Sequence, residues 1–145
     1  MILHLGVIEL PYVGPPGGHA AGQAPTTADV ARWLEKKYHV IEVFSELHRD
    51  GIVEAVTESW NGALQNLLMG APPTIDPHGA GMSDIQNQFT KFLDSQEMDG
   101  LGVPGVPTLA SLMGVQTAKK KRRGAARPSF IDTGLYRSSF MSWID

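Results

Sequence analysis

Residues 52–73, IVEAVTESWNGALQNLLMGAPP, decide how the rest of the chain is read. Val53, Val56, Trp60, Ala63, Leu64 and Leu67 recur at three-to-four spacing. That spacing winds them into one stripe of a helix over about 52–69, the pattern of a helix that turns one face to a core. Gly70 supplies the stop, because glycine enters the left-handed closing conformation without a Cβ penalty. Pro72 and Pro73 forbid continuation, having no amide hydrogens to donate.

Outward from that helix, the chain before it predicts another. Thr26 or Thr27 can accept a bond from a free amide of the first turn, and Asp29 stands at an approximate capping-box position. Val30, Trp33, Leu34, Ile41, Phe44, Leu47 and His48 then follow at helical spacing, with an irregularity at Tyr38 and His39. Asp50 and Gly51 mark the expected break. On the far side, residues 71–82 read as loop, and Ser83 or Asp84 caps a helix to about Gln96 that buries Ile85, Phe89, Phe92 and Leu93. MDGLGVPGVP at 98–107 is turn-rich, and Thr108 caps a brief helix, TLASLMG, closed by Gly114.

The two ends read differently. ILHLGVIEL at 2–10 predicts a strand with Leu3, Leu5 and Val7 on one face and Ile8 and Leu10 on the other. At the other end, Asp132 or Thr133 can cap one more helical turn, while the alternation of Phe140, Ser142 and Ile144 suits a strand. The reading adopted is a helix start at Thr133 and extended chain from about Ser139. The expected fold class is α+β: a small single domain over 1–145, with several helices packed on a short sheet and long Gly/Pro-rich loops. One such loop or arm is GPPGGHAAGQAP at 14–25, and another is the basic loop at 115–128.

Composition narrows the function. The 145 residues suit one domain. A charged fraction of 19% is low for a solvated surface and points to one partly covered by partners. Having no cysteine, the chain has no disulfide or thiolate chemistry. The opening MILHLGVIELP lacks the basic leader and cleavage site of a signal peptide, and no stretch approaches the roughly 18–20 apolar residues of a membrane span.

Chemical motifs are missing. His4, His19, His39, His48 and His78 fall in no HExxH-type or CxxC-type frame, which leaves no metal expected. Gly14, Gly17 and Gly18 precede a helix, but neither GxxxxGK[ST] nor GxGxxG is present, and Pro15 and Pro16 offer no amides to an anion. Ser129, Ser138, Ser139 and Ser142 lack a GxSxG elbow. The expectation is a protein with no cofactor and no enzymatic site.

Two features remain. Lys119, Lys120, Lys121, Arg122 and Arg123 hold five of the twelve basic residues, which leaves seven bases against fifteen acids (7 − 15 = −8) elsewhere. The chain is thus an acidic body with a basic finger. That finger can lie on phosphate, on an acidic neighbouring subunit, or in solvent. The second feature is RPSFIDTGLYRSSFMSWID at 127–145, which crowds Phe130, Ile131, Leu135, Tyr136, Phe140, Trp143 and Ile144 together. Such a segment must be buried under its own body or a neighbour's.

The run RPSFIDTGLYRSSF, residues 127–140, resembles the TGxxRxS block of tail-completion and neck proteins of long-tailed bacteriophages, carried by Thr133, Gly134, Arg137 and Ser139. GALQNLLMGAPP at 62–73 is similar to segments of virion-morphogenesis proteins. The resemblance implies a structural virion protein that forms a ring of six or twelve copies, joining the head at its portal side to the tail around the DNA path. Its partners would be its own copies, other neck, portal or tail proteins, and non-specifically the genome. A tail-terminator or other connector ring, or a small DNA-binding regulator using the basic run, are the competing readings. If the run is used, replacing residues 119–123 by Gln weakens DNA retention or ring assembly; particles indistinguishable from the parent would show that it is idle.

Overall fold

The computed structural model of the chain describes residues 2–12, 25–73, 75–113, 126, 128–131 and 134–145. Strand β1 (Leu3–Val7) leads to helices α1 (Thr27–Tyr38), α2 (Val40–Leu47), α3 (Arg49–Leu68) and α4 (Gly79–Asp94). A 3-10 turn (Glu97–Gly100), short helices α5 (Leu109–Met113) and α6 (Leu135–Ser138), and strand β2 (Phe140–Ile144) follow. The two strands pair antiparallel, Leu3 opposite Ile144 and Val7 opposite Phe140. This is the α+β arrangement of helices on a short sheet that the sequence predicts.

Alternation in β2 sorts its side chains. Phe140 and Ser142 point inward and are buried, whereas Met141 and Trp143 point out. The inward face meets α4: the Phe140 ring stacks on Phe89 at a centroid distance of 3.9 Å, and Ser142 Oγ donates to the Met82 carbonyl at 3.0 Å. Phe44 from α2 completes the centre, edge-on to Phe89 at 5.1 Å and to Phe140 at 5.9 Å. Burying each such ring contributes about 1.5–3 kcal/mol. As expected, Ile85, Phe89, Phe92 and Leu93 of α4 lie in this core.

Local chemistry sets the joints. The Thr26 hydroxyl accepts from the Asp29 amide at 3.2 Å while the Asp29 carboxylate accepts from the Thr26 amide at 3.1 Å, the expected capping box. Thr27, fully buried, accepts from the Leu10 amide at 2.8 Å and donates to the Ile8 carbonyl, tying the exit of β1 to the start of α1. The irregularity at Tyr38–His39 is a true joint. His39 sits in the left-handed region (φ 54°), and the Glu35 carboxylate accepts from the Ile41 and Glu42 amides at 2.8 and 3.1 Å, capping α2.

Two expectations shift. The break predicted at Asp50–Gly51 falls at His48 instead, and Gly51 lies inside α3. A Cβ on it would stand 2.8 Å from Oε1 at the end of the Gln88 side chain, and Gln88 Nε2 donates to the Gly51 carbonyl at 3.2 Å. Helix α4 starts at Gly79, four residues before Ser83, within the segment expected to be loop. Asp76 organises that start, its carboxylate accepting from the His78 amide at 3.1 Å. Ser83 is not the cap; its hydroxyl donates to Gly79 O at 2.9 Å within the helix.

The face of α3 is the larger correction. Its buried residues are Ile52 and Ala55. Val53, Leu64 and Leu67 of the predicted stripe are exposed, and Val56 and Trp60 are half-buried. Helix α4 approaches the opposite side, where α3 presents small residues. A Cβ on Gly81 would lie 2.7 Å from the Ala55 carbonyl oxygen and 3.1 Å from Ser59 Cβ. Ser59 Oγ donates to the Pro77 carbonyl at 2.6 Å and pins the crossing. At 3.6 residues per turn the stripe of large residues then faces away from α4. The end of α3 matches its sequence: Gly70 (φ 85°) and Ala71 donate their amides to Leu67 and Asn66, a Schellman closure.

Gly81→Ala tests this packing. Helix propensity alone favours alanine by about 1 kcal/mol, but the clash with Ala55 makes a net loss of about 1–3 kcal/mol the expected result. Urea unfolding reads it as a lowered midpoint; a raised midpoint would show that α4 does not touch the α3 backbone.

Candidate functional site

The C-terminal block begins beside α5. Thr108 caps α5 as expected, its hydroxyl accepting from the Ser111 amide at 3.2 Å, and its own amide donates to Ser129 Oγ at 3.1 Å. Phe130 follows with φ 67°, its ring edge-on to Tyr38 at 5.2 Å. Ser129 and Phe130 border a cavity of about 10 Å³, on the scale of a single water molecule. The Asp99 Oδ1 atom is buried there with no donor among the described residues.

Gly134 (φ 78°) turns the chain into α6. Leu135 is half-buried and Tyr136 buried, its ring edge-on to Phe89 at 6.1 Å. Arg137 reaches back to pair with Asp94 at the end of α4. Ser139 is buried, its hydroxyl donating to the Tyr136 carbonyl at 2.9 Å and its carbonyl accepting from the Ile8 amide at 2.7 Å. Tyr136, Ser139 and Phe140 are therefore covered by the chain's own body. Trp143 is the aromatic of the block that reaches the surface, 46% exposed. Its indole lies over Gly6, where a Cβ would meet the ring at 3.2 Å, and stacks on His4 at 5.2 Å. Thr133, the basic run Lys119, Lys120, Lys121, Arg122 and Arg123, and residues 14–24 of the predicted arm lie outside the described residues.

Titratable groups cluster at the α1–α2 joint, where Glu35, His39 and Glu42 bring ligand-type atoms within 4.8 Å of one another. Their bonds serve the fold, since the Glu35 carboxylate caps α2 and His39 Nδ1 lies 2.7 Å from Glu42 Oε2. His48 pairs with Glu97 at 2.8 Å, tying α3 to the 3-10 turn, and packs on Phe44 and Phe92. Among the described residues no helix is long and apolar enough to cross a membrane.

The surface feature that motif searching missed is the tip of α3. Leu64 and Leu67 are each 50% exposed, Leu68 87%, Met69 85%, and Ile75 just beyond is fully exposed. Helix α4 begins beside Ser59, so the last turns of α3 extend past it. The signal was present in the sequence: residues 59–75 contain no Asp, Glu, Lys or Arg.

Comparison of the chain with protein-family models, with curated proteins and with solved structures yields no match.

Tyr136 carries a pH signature. Its buried hydroxyl has no acceptor among the described residues. Burial pushes its pKa up, and the negative charge of Glu35 and the proximity of Tyr12 push the same way. The unfolded chain loses this proton near the ordinary tyrosine value of about 10 while the folded chain keeps it, so stability falls as pH rises past that value. Tyr136→Phe is expected to be neutral or stabilising by about 1 kcal/mol and to flatten the alkaline loss of melting temperature. An unchanged alkaline profile would contradict the assignment.

Proposed function

We propose that this chain is a structural protein of the bacteriophage neck, forming a ring that joins the portal side of the head to the tail around the DNA path. Large apolar side chains left bare on a folded body carry this reading. Single exposed apolar residues are ordinary on any protein. A continuous run of them, as at the tip of α3, marks a surface that another protein covers. Met141 and Trp143 on the outer face of the sheet add a second apolar area on a different side.

The resemblance of residues 127–140 to the neck-protein block supplies the identity of the assembly. In this reading the buried members of that block, Tyr136, Ser139 and Phe140, hold β2 against α4, and Arg137 and Trp143 meet neighbours. The described residues carry six Lys and Arg against fourteen Asp and Glu. An acidic wall suits a passage through which DNA must slide, because cations on phosphates would retain it. The basic run supplies one local contact, on the genome or on an acidic neighbour.

Solution mass over a wide range of concentration, followed by electron microscopy, tests the proposal. Closed rings of one order are expected. A chain that stays monomeric throughout and leaves no rings on the grid would refute it.

A further inference from the structure

We infer that the outer edge of β1, presented by the unpaired backbone groups of Leu3, Leu5 and Val7, is where one copy of this chain adds to a second. The two β1 strands run antiparallel about a two-fold axis at Leu5 and join the two sheets into one of four strands. The inference goes beyond the neck reading and stands without it.

The ladder between the strands shows which groups are unused. Ile2 and Asp145 exchange both backbone bonds, at 2.8 and 3.1 Å, and the Ile8 amide donates to the Ser139 carbonyl at 2.7 Å. Bonded pairs alternate along an antiparallel ladder, so in the register that sets Leu3 opposite Ile144 and Val7 opposite Phe140, residues Ile2, His4, Gly6 and Ile8 face β2. The amides and carbonyls of Leu3, Leu5 and Val7 therefore point away from it. None of these six groups has a hydrogen-bond partner among the described residues. The matching edge of β2 is closed, Phe140 and Ser142 being 4% and 3% exposed, whereas Leu3, Leu5 and Val7 are half-buried.

Hydrogen-bond geometry then selects the occupant. A row of alternating N–H and C=O groups is matched by another extended backbone. Nothing on this edge prevents such pairing: residues 2–8 contain no Asp, Glu, Lys, Arg or Pro, and the ladder runs without a bulge. A two-fold axis at Leu5 sets Leu3 against Val7 of the second copy and Leu5 against Leu5, so all six groups of each copy are used at once. The same register brings the half-buried Leu3, Leu5 and Val7 side chains together, apolar against apolar. An unrelated strand would have to match this length and alternation by chance; a second copy matches it by symmetry. Charge permits the approach although the body is acidic. The two Glu9 carboxylates, the nearest acids in sequence, fall at opposite ends, roughly 27 Å apart at about 3.4 Å per residue. That is well beyond the ~8 Å over which charges interact strongly in physiological salt.

The contact is smaller than a standard interface, so a dissociation constant of roughly 10–100 µM is expected. Amide hydrogen exchange read by NMR tests it on the parent chain. In dilute solution His4 and Gly6 are expected to exchange slowly and Leu3, Leu5 and Val7 fast; at high concentration these three slow down as sedimentation reports a dimer. Leu5→Lys and Leu5→Glu each set like charges face to face at the axis. Each variant alone is expected to associate at least about tenfold more weakly, and an equimolar mixture of the two to pair again. If either variant fails to fold, the exchange pattern of the parent decides. Oligomers in which Leu3, Leu5 and Val7 still exchange fast would overturn the inference and leave the neck ring standing. Dimers protected at these amides that never close into rings would uphold it and refute the ring. A parent that is monomeric at every concentration, or whose three amides slow only when an unrelated strand-forming peptide is added, would overturn it.

Discussion

The rest of the molecule depends on how closely α4 can approach α3. At Gly81 there is no Cβ, and the Ala55 carbonyl and Ser59 side chain occupy the space that one would need. Close packing of two helix backbones turns many weak contacts into a large total. It also fixes orientation: α4 rests on the α3 backbone at this point, and the same side of α4, followed turn by turn from Gly81, carries the bulky core residues Ile85, Phe89 and Phe92. Those residues receive Phe44 from α2 and Phe140 from β2, and Ser142 locks the sheet to α4 through Met82. The sheet has only two strands, too few to be stable alone. It persists because α4 and the Thr27 link to β1 hold it.

The same contact decides what is left outside. A helix whose small side faces the body must show its large side to solvent or to a partner. The cost is exposed hydrocarbon, and the consequence is a surface ready to associate. The C-terminal block behaves oppositely, sending Tyr136, Ser139 and Phe140 inward and only part of its aromatic content out. The chain thus divides its apolar residues between two roles. Phe44, Phe89, Phe92, Tyr136 and Phe140 build the core, and the leucine-rich, uncharged end of α3 stays exposed. In a neck ring, that division would let each subunit fold before it assembles.

Much of this was legible in the residues. The Thr26–Asp29 capping box, the apolar spacing of Ile85, Phe89 and Phe92, the Thr108 cap and the strand alternation at Phe140 and Ser142 all rest on local rules that tertiary packing left intact. The face of α3 was not legible, for a physical reason. Periodicity marks where large apolar residues lie, but a close helix contact is made by small ones, and Gly51, Ala55 and Ser59 carry little hydrophobic signal. Gly51 reads as a breaker because glycine is unfavourable in a helix interior; in the fold it lies within α3, on the side that meets Gln88 of α4. Helix α4 begins early because Asp76, two residues before His78, organises its start without a side-chain cap at the standard position. The functional assignment depends on a short block whose Thr133, like the basic run, lies outside the described residues.

The central claim is that α3 turns its small residues inward and its large ones outward. The chain has no cysteine, so single cysteines placed along α3 report accessibility without background. Thiol labelling of dilute protein should be fast at positions 53, 64, 67 and 68 and slow at 52 and 55. Fast labelling at 52 and 55 with protection of 53, 64 and 67 in dilute solution would mean the helix faces the other way, and the account would fall with it.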